Sequence, residues 1–152
     1  MSQIIHCTGV SALSVAASHG NVDAVAMLIA HGANVNTRNK NARYDTALIE
    51  ATIGGHTEVA KYLLKNGANQ LLKDEMGCTA LHHACQLGDI SIARMLVNGD
   101  GAKRALLVLN NSDQKPFDVC NTSYMKIMIE DNMRRLKVFV KPRVSLIARN
   151  VL

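Results

Sequence analysis

Three hydroxyl residues, Ser11, Thr46 and Thr79, are each followed by Ala-Leu and lie 35 and 33 residues apart. The fullest surrounding pattern runs Gly77 to Gly88: Gly-Cys-Thr-Ala-Leu-His-His-Ala-Cys-Gln-Leu-Gly. Residues 9–20 and 44–55 repeat it more loosely, and Asp113–Cys120 carries a faint fourth copy. A fixed period of about 20–50 residues is the signature of a solenoid, in which each unit buries its apolar face only against its neighbours.

Each station of the repeat has a physical reading. Ser11, Thr46 and Thr79 have side-chain oxygens that can accept an orphan backbone N–H, as helix N-caps do. Ala12, Ala47, Ala80 and Pro116 follow, and Pro is tolerated where a first-turn N–H has no partner. Leu13, Leu48, Leu81 and Phe117 supply the large core side chain, and Ala16, Ala51, Ala84 and Cys120 lie one helical turn later. Gly20, Gly55 and Gly88 suit a left-handed helix end. A second apolar periodicity follows each Gly: Val22, Val25, Leu28 and Ile29, then Val59, Tyr62 and Leu63, then Ile92, Met95 and Leu96. His31-Gly-Ala-Asn and Asn66-Gly-Ala-Asn then turn the chain.

This pattern resembles the ankyrin repeat, a turn followed by Thr-Pro-Leu-His-x-Ala and two helices. Residues 74–101 fit best, with Asp74, Gly77, Thr79, Leu81, His82, Ala84 and Gly88 all in register, and the resemblance covers about residues 6–120. It implies an all-α solenoid of stacked helix-turn-helix units with hairpin loops projecting along one edge. The expected units are 6–38, 39–73 and 74–109, with a degenerate 110–122 completing a repeat region of 1–122. A capping helix over 123–140 and a basic, apolar tail at 141–152 follow. The departures are a two-residue insertion in 39–44, Asp100 in place of Gly, and Lys115 in place of the capping Thr. Met125, Ile129, Met133 and Leu136 form one apolar stripe on the capping helix. The run Ala105–Leu109 reads equally as a buried hairpin arm or a short helix.

In this family the hairpin tips and inner helices line a concave face that docks other proteins. Carried over by register, that face includes Val15, Ser18 and His19, then Asp45, Glu50 and Ile53. It continues with Cys78, His83, Gln86 and Leu87, and Met76 stands at the third tip. The longer second hairpin, Thr37-Arg-Asn-Lys-Asn-Ala-Arg-Tyr-Asp45, brings three cations and Tyr44 to a projecting tip, and Tyr and Arg are favoured anchors. Arg38, Arg43 and Tyr44 are therefore the leading candidates there. The implied function is a non-enzymatic adaptor, scaffold or regulatory subunit whose partner is another protein.

Charge separates a second candidate. Residues 126–152 carry seven Lys or Arg against two acids, the whole net charge of +5, while the rest is balanced. Arg134, Arg135, Lys137, Lys141, Arg143 and Arg149 form a basic end that can bind nucleic acid or anionic lipid. Only Phe139 interleaves those cations, which gives base stacking little support. The first repeat is unusually apolar. Either Ile4 and Ile5 fold back over it, or a second copy covers it in a weak homodimer.

Chemistry finds little footing. Aromatic residues make up 3% of the chain, too few for an aromatic-lined ligand pocket. The four cysteines, Cys7, Cys78, Cys85 and Cys120, form no Cys-x-x-Cys pair, and reduced thiols in a cytosolic or nuclear setting are the simplest account. Cys78, His82, His83, Cys85 and Asp89 cluster in sequence but offer no closed zinc set. Cys85 is expected to be buried and inert. No Gly-rich phosphate loop precedes a helix, and no apolar run is long enough to span a bilayer. The N-terminus lacks the basic and apolar regions of a signal peptide. No catalytic, cofactor-binding or metal site is expected.

Overall fold

The computed structural model of the protein describes residues 9–41 and 43–138. The helices there are α1 (Ala12–Ser18), α2 (Val22–Ala30), α3 (Ala47–Ile53), α4 (Thr57–Lys65), α5 (Ala80–Leu87), α6 (Ile90–Asn98), α7 (Ala102–Ala105) and α8 (Ser123–Arg135). A 3-10 turn at Pro116–Val119 precedes α8. The described residues contain no strand. One antiparallel bridge, Arg38 to Thr46, closes the second hairpin.

The repeated hydroxyls act as the sequence predicts. Ser11 Oγ accepts the Ser14 N–H at 3.1 Å, and Thr46 Oγ1 accepts that of Ile49 at 3.3 Å. At α5 the cap is bridged by His82, whose Nδ1 accepts the Thr79 N–H at 3.2 Å and lies 2.9 Å from Thr79 Oγ1. Its Nε2–H donates across to Gln114 O at 3.1 Å, tying the third unit to the fourth. Asn21 and Asp89 cap α2 and α6 through the Ala24 and Ile92 amides. His56, before α4, instead donates from Nε2 to Ser18 O at 2.9 Å, a bond between the first two repeats.

The inner helices α1, α3 and α5 stack in one layer and the outer helices α2, α4 and α6 in another. Leu13, Leu48 and Leu81 are buried between layers, and Ala51 and Ala84, one helical turn on, are fully buried. From the outer layer Val25, Val59, Leu63, Ile92 and Leu96 complete one continuous core. Each such aliphatic side chain contributes about 1.5–3 kcal/mol on burial.

The fourth unit is a shortened repeat. The 3-10 turn takes the inner station against α5, and α8 packs on α6 in the outer station. Met125, Ile129 and Met133 are its buried stripe. The capping helix ends at Arg135 instead of the expected residue 140. Lys137 adopts φ 52, and the Val138 N–H returns to Met133 O at 2.8 Å, which closes the helix. The apolar run Ala105–Leu109 resolves into the end of the one-turn α7, with Ala105 and Leu106 buried and Leu107 and Leu109 exposed. Ile4, Ile5, Cys7, Phe139, Lys141, Arg143 and Arg149, with the rest of 141–152, lie outside the described residues.

Candidate protein-docking face

Because α1, α3 and α5 stack in register, equivalent residues form rows across one face. Val15, Glu50 and His83 share one station, Ser18, Ile53 and Gln86 a second, and His19 and Leu87 stand at a third. Val15, His19, Gln86 and Leu87 are exposed, and Ser18, Glu50, Ile53 and His83 are half-buried. The face is chemically mixed: Val15, Ile53 and Leu87 are apolar, and His19, Glu50 and His83 are titratable.

The hairpins are laced to one another by backbone bonds. Lys40 N–H donates to Gly9 O at 2.6 Å, Glu75 N–H to Arg43 O at 2.9 Å, and Asn111 N–H to Met76 O at 3.0 Å. Asn36 adds a side-chain link, donating to Gly67 O and accepting the Asn69 N–H at 2.7 Å. This lacing holds the projecting tips at fixed spacing. At the second tip Tyr44 is 49% exposed, and the Arg38 guanidinium lies 5.8 Å from its ring centroid, within cation–π range. Arg38 also donates to Lys73 O in the next hairpin. Met76 is 63% exposed at the third tip. Tyr44 has φ 52, the left-handed region, at the station that Gly9 and Gly77 occupy in the neighbouring hairpins. That alignment was present in the sequence and is the signal by which the unusual backbone could have been found.

Asp45 requires a correction. It was expected on the contact surface, but it is 1% exposed. Burial lifts its carboxyl to about 6; Arg43, whose Nε is 2.9 Å from Asp45 Oδ2, opposes this, and Glu50 beside it reinforces it by charge and hydrogen bonding. Asp45 thus orients Arg43 from below and makes no exposed contact of its own.

In the third repeat, His83 Nε2 lies 2.7 Å from Asp74 Oδ2. Asp74 Oδ1 accepts the Cys78 N–H at 2.8 Å. Burial, and then the Asp74 charge, push the Cys78 thiol above its usual range. Ligand atoms of Asp74, Cys78 and His83 lie within 4.8 Å of one another. The sequence grouping of Cys78 with His82, His83, Cys85 and Asp89 missed Asp74, which the hairpin folds back from the far side of the turn. His82 and Cys85 are both buried in the core, Cys85 as the register predicts.

At the basic end, Arg134 pairs with Glu130 and Asp131 on its own helix. Arg135 donates to Val97 O and Asn98 Oδ1, so its guanidinium is committed to holding α8 on α6. Lys137 is exposed. None of the helices among the described residues is long and apolar enough to cross a membrane.

A family model described as ankyrin repeats in three copies matches residues 13–105. Over 68 residues the chain is 43% identical to the Arf-GAP with coiled-coil, ANK repeat and PH domain-containing protein 2 of Rattus norvegicus, covering 45% of this chain and 9% of that protein. It is 38% identical over 90 residues to the ankyrin repeat and KH domain-containing protein mask-1 of Caenorhabditis elegans, 59% of this chain and 3% of the other. It is 36% identical over 104 residues to a transient receptor potential cation channel subfamily A member 1 homolog of the same organism, 68% of this chain and 8% of the other. The chain thus spans less than a tenth of the length of these relatives. In structure it is similar to the ankyrin repeat domain of Bcl-3, with a TM-score of 0.73 and 26% identity, over 83% of this chain and 52% of that one.

Proposed function

This chain belongs to the ankyrin repeat family, and on that premise we propose that it is a non-enzymatic protein-interaction module, an adaptor, scaffold or regulatory subunit, that docks a partner segment on the concave face and hairpin tips. The observation that carries the reading is Tyr44. A large, exposed aromatic side chain stands where the neighbouring hairpins have Gly, on a backbone conformation that costs a non-Gly residue about 1 kcal/mol or more. Backbone strain clusters at binding positions, and the Arg38 guanidinium over the ring limits its motion. A rigid aromatic flanked by guanidinium groups favours a partner segment that presents an apolar side chain beside acidic groups.

Arg38, Arg43, Tyr44, Met76 and Cys78 form the hairpin contacts in this reading, and Glu50, Ile53, His83, Gln86 and Leu87 the helical ones. Attachment of the basic end to nucleic acid or anionic lipid is the weaker reading, because Arg135 is spent on packing and Arg134 is paired within its helix.

The test is affinity capture from a native lysate at two salt concentrations with the intact chain and a variant carrying Arg38→Ala, Tyr44→Ala, Met76→Ala and Leu87→Ala. All four side chains are exposed, so the fold is expected to survive. Loss of a discrete bound protein from the variant supports docking on this face. Undiminished capture of the same protein by the variant would sink it. Capture of nucleic acid or lipid that disappears at high salt would move the function to the basic end.

A further inference from the structure

We propose that Asp74, Cys78 and His83 form a binding site for a divalent transition-metal ion of the zinc class, built from the third hairpin and the first turns of α5. The site shares Cys78 and His83 with the docking face but does not rest on that reading. One ligand atom from each residue lies within 4.8 Å of the other two. Thiolate, imidazole and carboxylate bind zinc at about 2.0–2.3 Å, so ligand atoms around one tetrahedral ion stand about 3.3–3.8 Å apart. The trio therefore needs side-chain adjustments on the order of 1 Å to close on an ion. The sulfur and imidazole ligands select zinc-like ions over magnesium or calcium, which prefer all-oxygen sites.

The supports are already in place. Two backbone bonds pin the hairpin, Asp74 N–H to Cys78 O at 2.9 Å and Gly77 N–H to Asp74 O at 3.1 Å. Asp74 Oδ1 is held by the Cys78 N–H, and Oδ2, which pairs with His83 Nε2 at 2.7 Å, becomes the ligating oxygen when the ion replaces the proton between them. Asn110 Nδ2, from the fourth unit, donates to Cys78 Sγ at 3.8 Å, the outer contact that steadies a thiolate ligand. His83 is fixed on α5, and Asp74 and Cys78 stand on the pinned hairpin beside it. All three residues are half-buried, so a water from the surface would complete a four-coordinate set. The second repeat does not share the set: the stations of Asp74, Cys78 and His83 are taken there by Asn39, Asp45 and Glu50.

Cobalt(II) alone is the probe, titrated into the metal-free chain of 152 residues with Cys7→Ser as the background so that Cys7 contributes no thiolate. The expected result is a 1:1 thiolate-to-cobalt charge-transfer band with the intense visible bands of four-coordinate cobalt, both displaced by zinc. The charge-transfer band should vanish in Cys78→Ser. Affinity should fall about tenfold or more in His83→Gln and in Asp74→Asn, with helical circular dichroism retained. Absence of any thiolate band from the Cys7→Ser background itself would overturn the proposal without reference to variants. So would a band that persists in Cys78→Ser.

Discussion

Tyr44 and Gly77 occupy the same station of consecutive hairpins, two residues before the capping threonine, and both have a left-handed backbone, with φ 52 and 73. Their surroundings differ. A Cβ on Gly77 would lie 2.3 Å from Asn111 Oδ1 and 2.7 Å from the Asn111 backbone nitrogen, so the next loop sits where a side chain would go. At Tyr44 the side chain projects into solvent beside Arg38. Gly77→Ala combines strained φ with a backbone collision and is expected to cost about 2 kcal/mol or more. Tyr44→Gly relieves strain but gives up the Arg38 contact, and should leave stability within about 1 kcal/mol while weakening partner binding. Urea denaturation of the two variants checks this contrast. Equal effects from both substitutions would show that the two stations are equivalent after all.

Two buried titratable groups pull stability in opposite directions with pH. Burial lowers the His82 pKa below 6.5, and the ring is held neutral between Thr79 and Gln114, with His83, Lys73 and Asp74 as the nearby charged or titratable groups. Between the folded and unfolded values the unfolded chain binds more protons, so this contribution is lost as pH falls below about 6.5. Asp45 behaves oppositely: its carboxyl is raised from 3.8 to about 6, so the folded chain binds more protons in that window. Its contribution therefore declines as pH rises from about 4 to 6. The intact chain should show a muted dependence between pH 5 and 7. Asp45→Asn should gain stability steeply with rising pH, and His82→Gln should lose it. Denaturation midpoints at several pH values in a chelating buffer read both slopes, and parallel profiles for the two variants would contradict this assignment.

The solenoid was legible because its rules are local. An N-cap hydroxyl, a Leu two residues on and a terminal Gly each specify a short helix on their own, and repetition then specifies the stacking. The inward side chains Leu48, Leu81 and Cys85 followed directly from that register. What was not legible depended on hairpin geometry. The two-residue insertion at 39–44 lengthens the loop, yet Asn39 N–H still bonds Asp45 O at 2.9 Å, as Asp74 N–H bonds Cys78 O. Asp45 meanwhile sinks beneath Arg43, which no periodicity encodes. Asp74 escaped notice beside His83 for the same reason: nine residues apart in sequence, they meet only because the turn reverses the chain.

Asn36 links two repeats through both ends of its side-chain amide. Its amide donates to Gly67 O at 3.1 Å, and its oxygen accepts the Asn69 N–H at 2.7 Å. Asn36→Ala removes both bonds and leaves two backbone groups to water in a part-exposed loop. The cost should be about 1–2 kcal/mol, given about 0.5–1.5 kcal/mol per bond. Asn36→Asp keeps the acceptor and loses the donor, so it should fall between the two. Thermal unfolding of the three proteins orders them, and an alanine variant as stable as the intact chain would show that the loops do not depend on this link.

Ile127 and Ile129 lie two residues apart on α8 and meet opposite surroundings, the first 57% exposed and the second fully buried. Ile129 packs in the continuous core with Met125 and Met133, and Arg135 ties the end of the same helix to Val97 O. Ile129→Ala should cost about 2–4 kcal/mol through the lost transfer energy and the cavity left behind. Ile127→Ala should change stability by no more than about 0.5 kcal/mol. Because each unit of a solenoid contacts only its neighbours, the damage from Ile129→Ala should be graded. Amide exchange should speed up most in α8 and α6, less in α4, and least in α2. A uniform rise in exchange across all the helices would mean that the stack unfolds as one unit and that α8 contributes to the whole array. A cost at Ile127 equal to that at Ile129 would mean that the outward face of α8 is covered in solution.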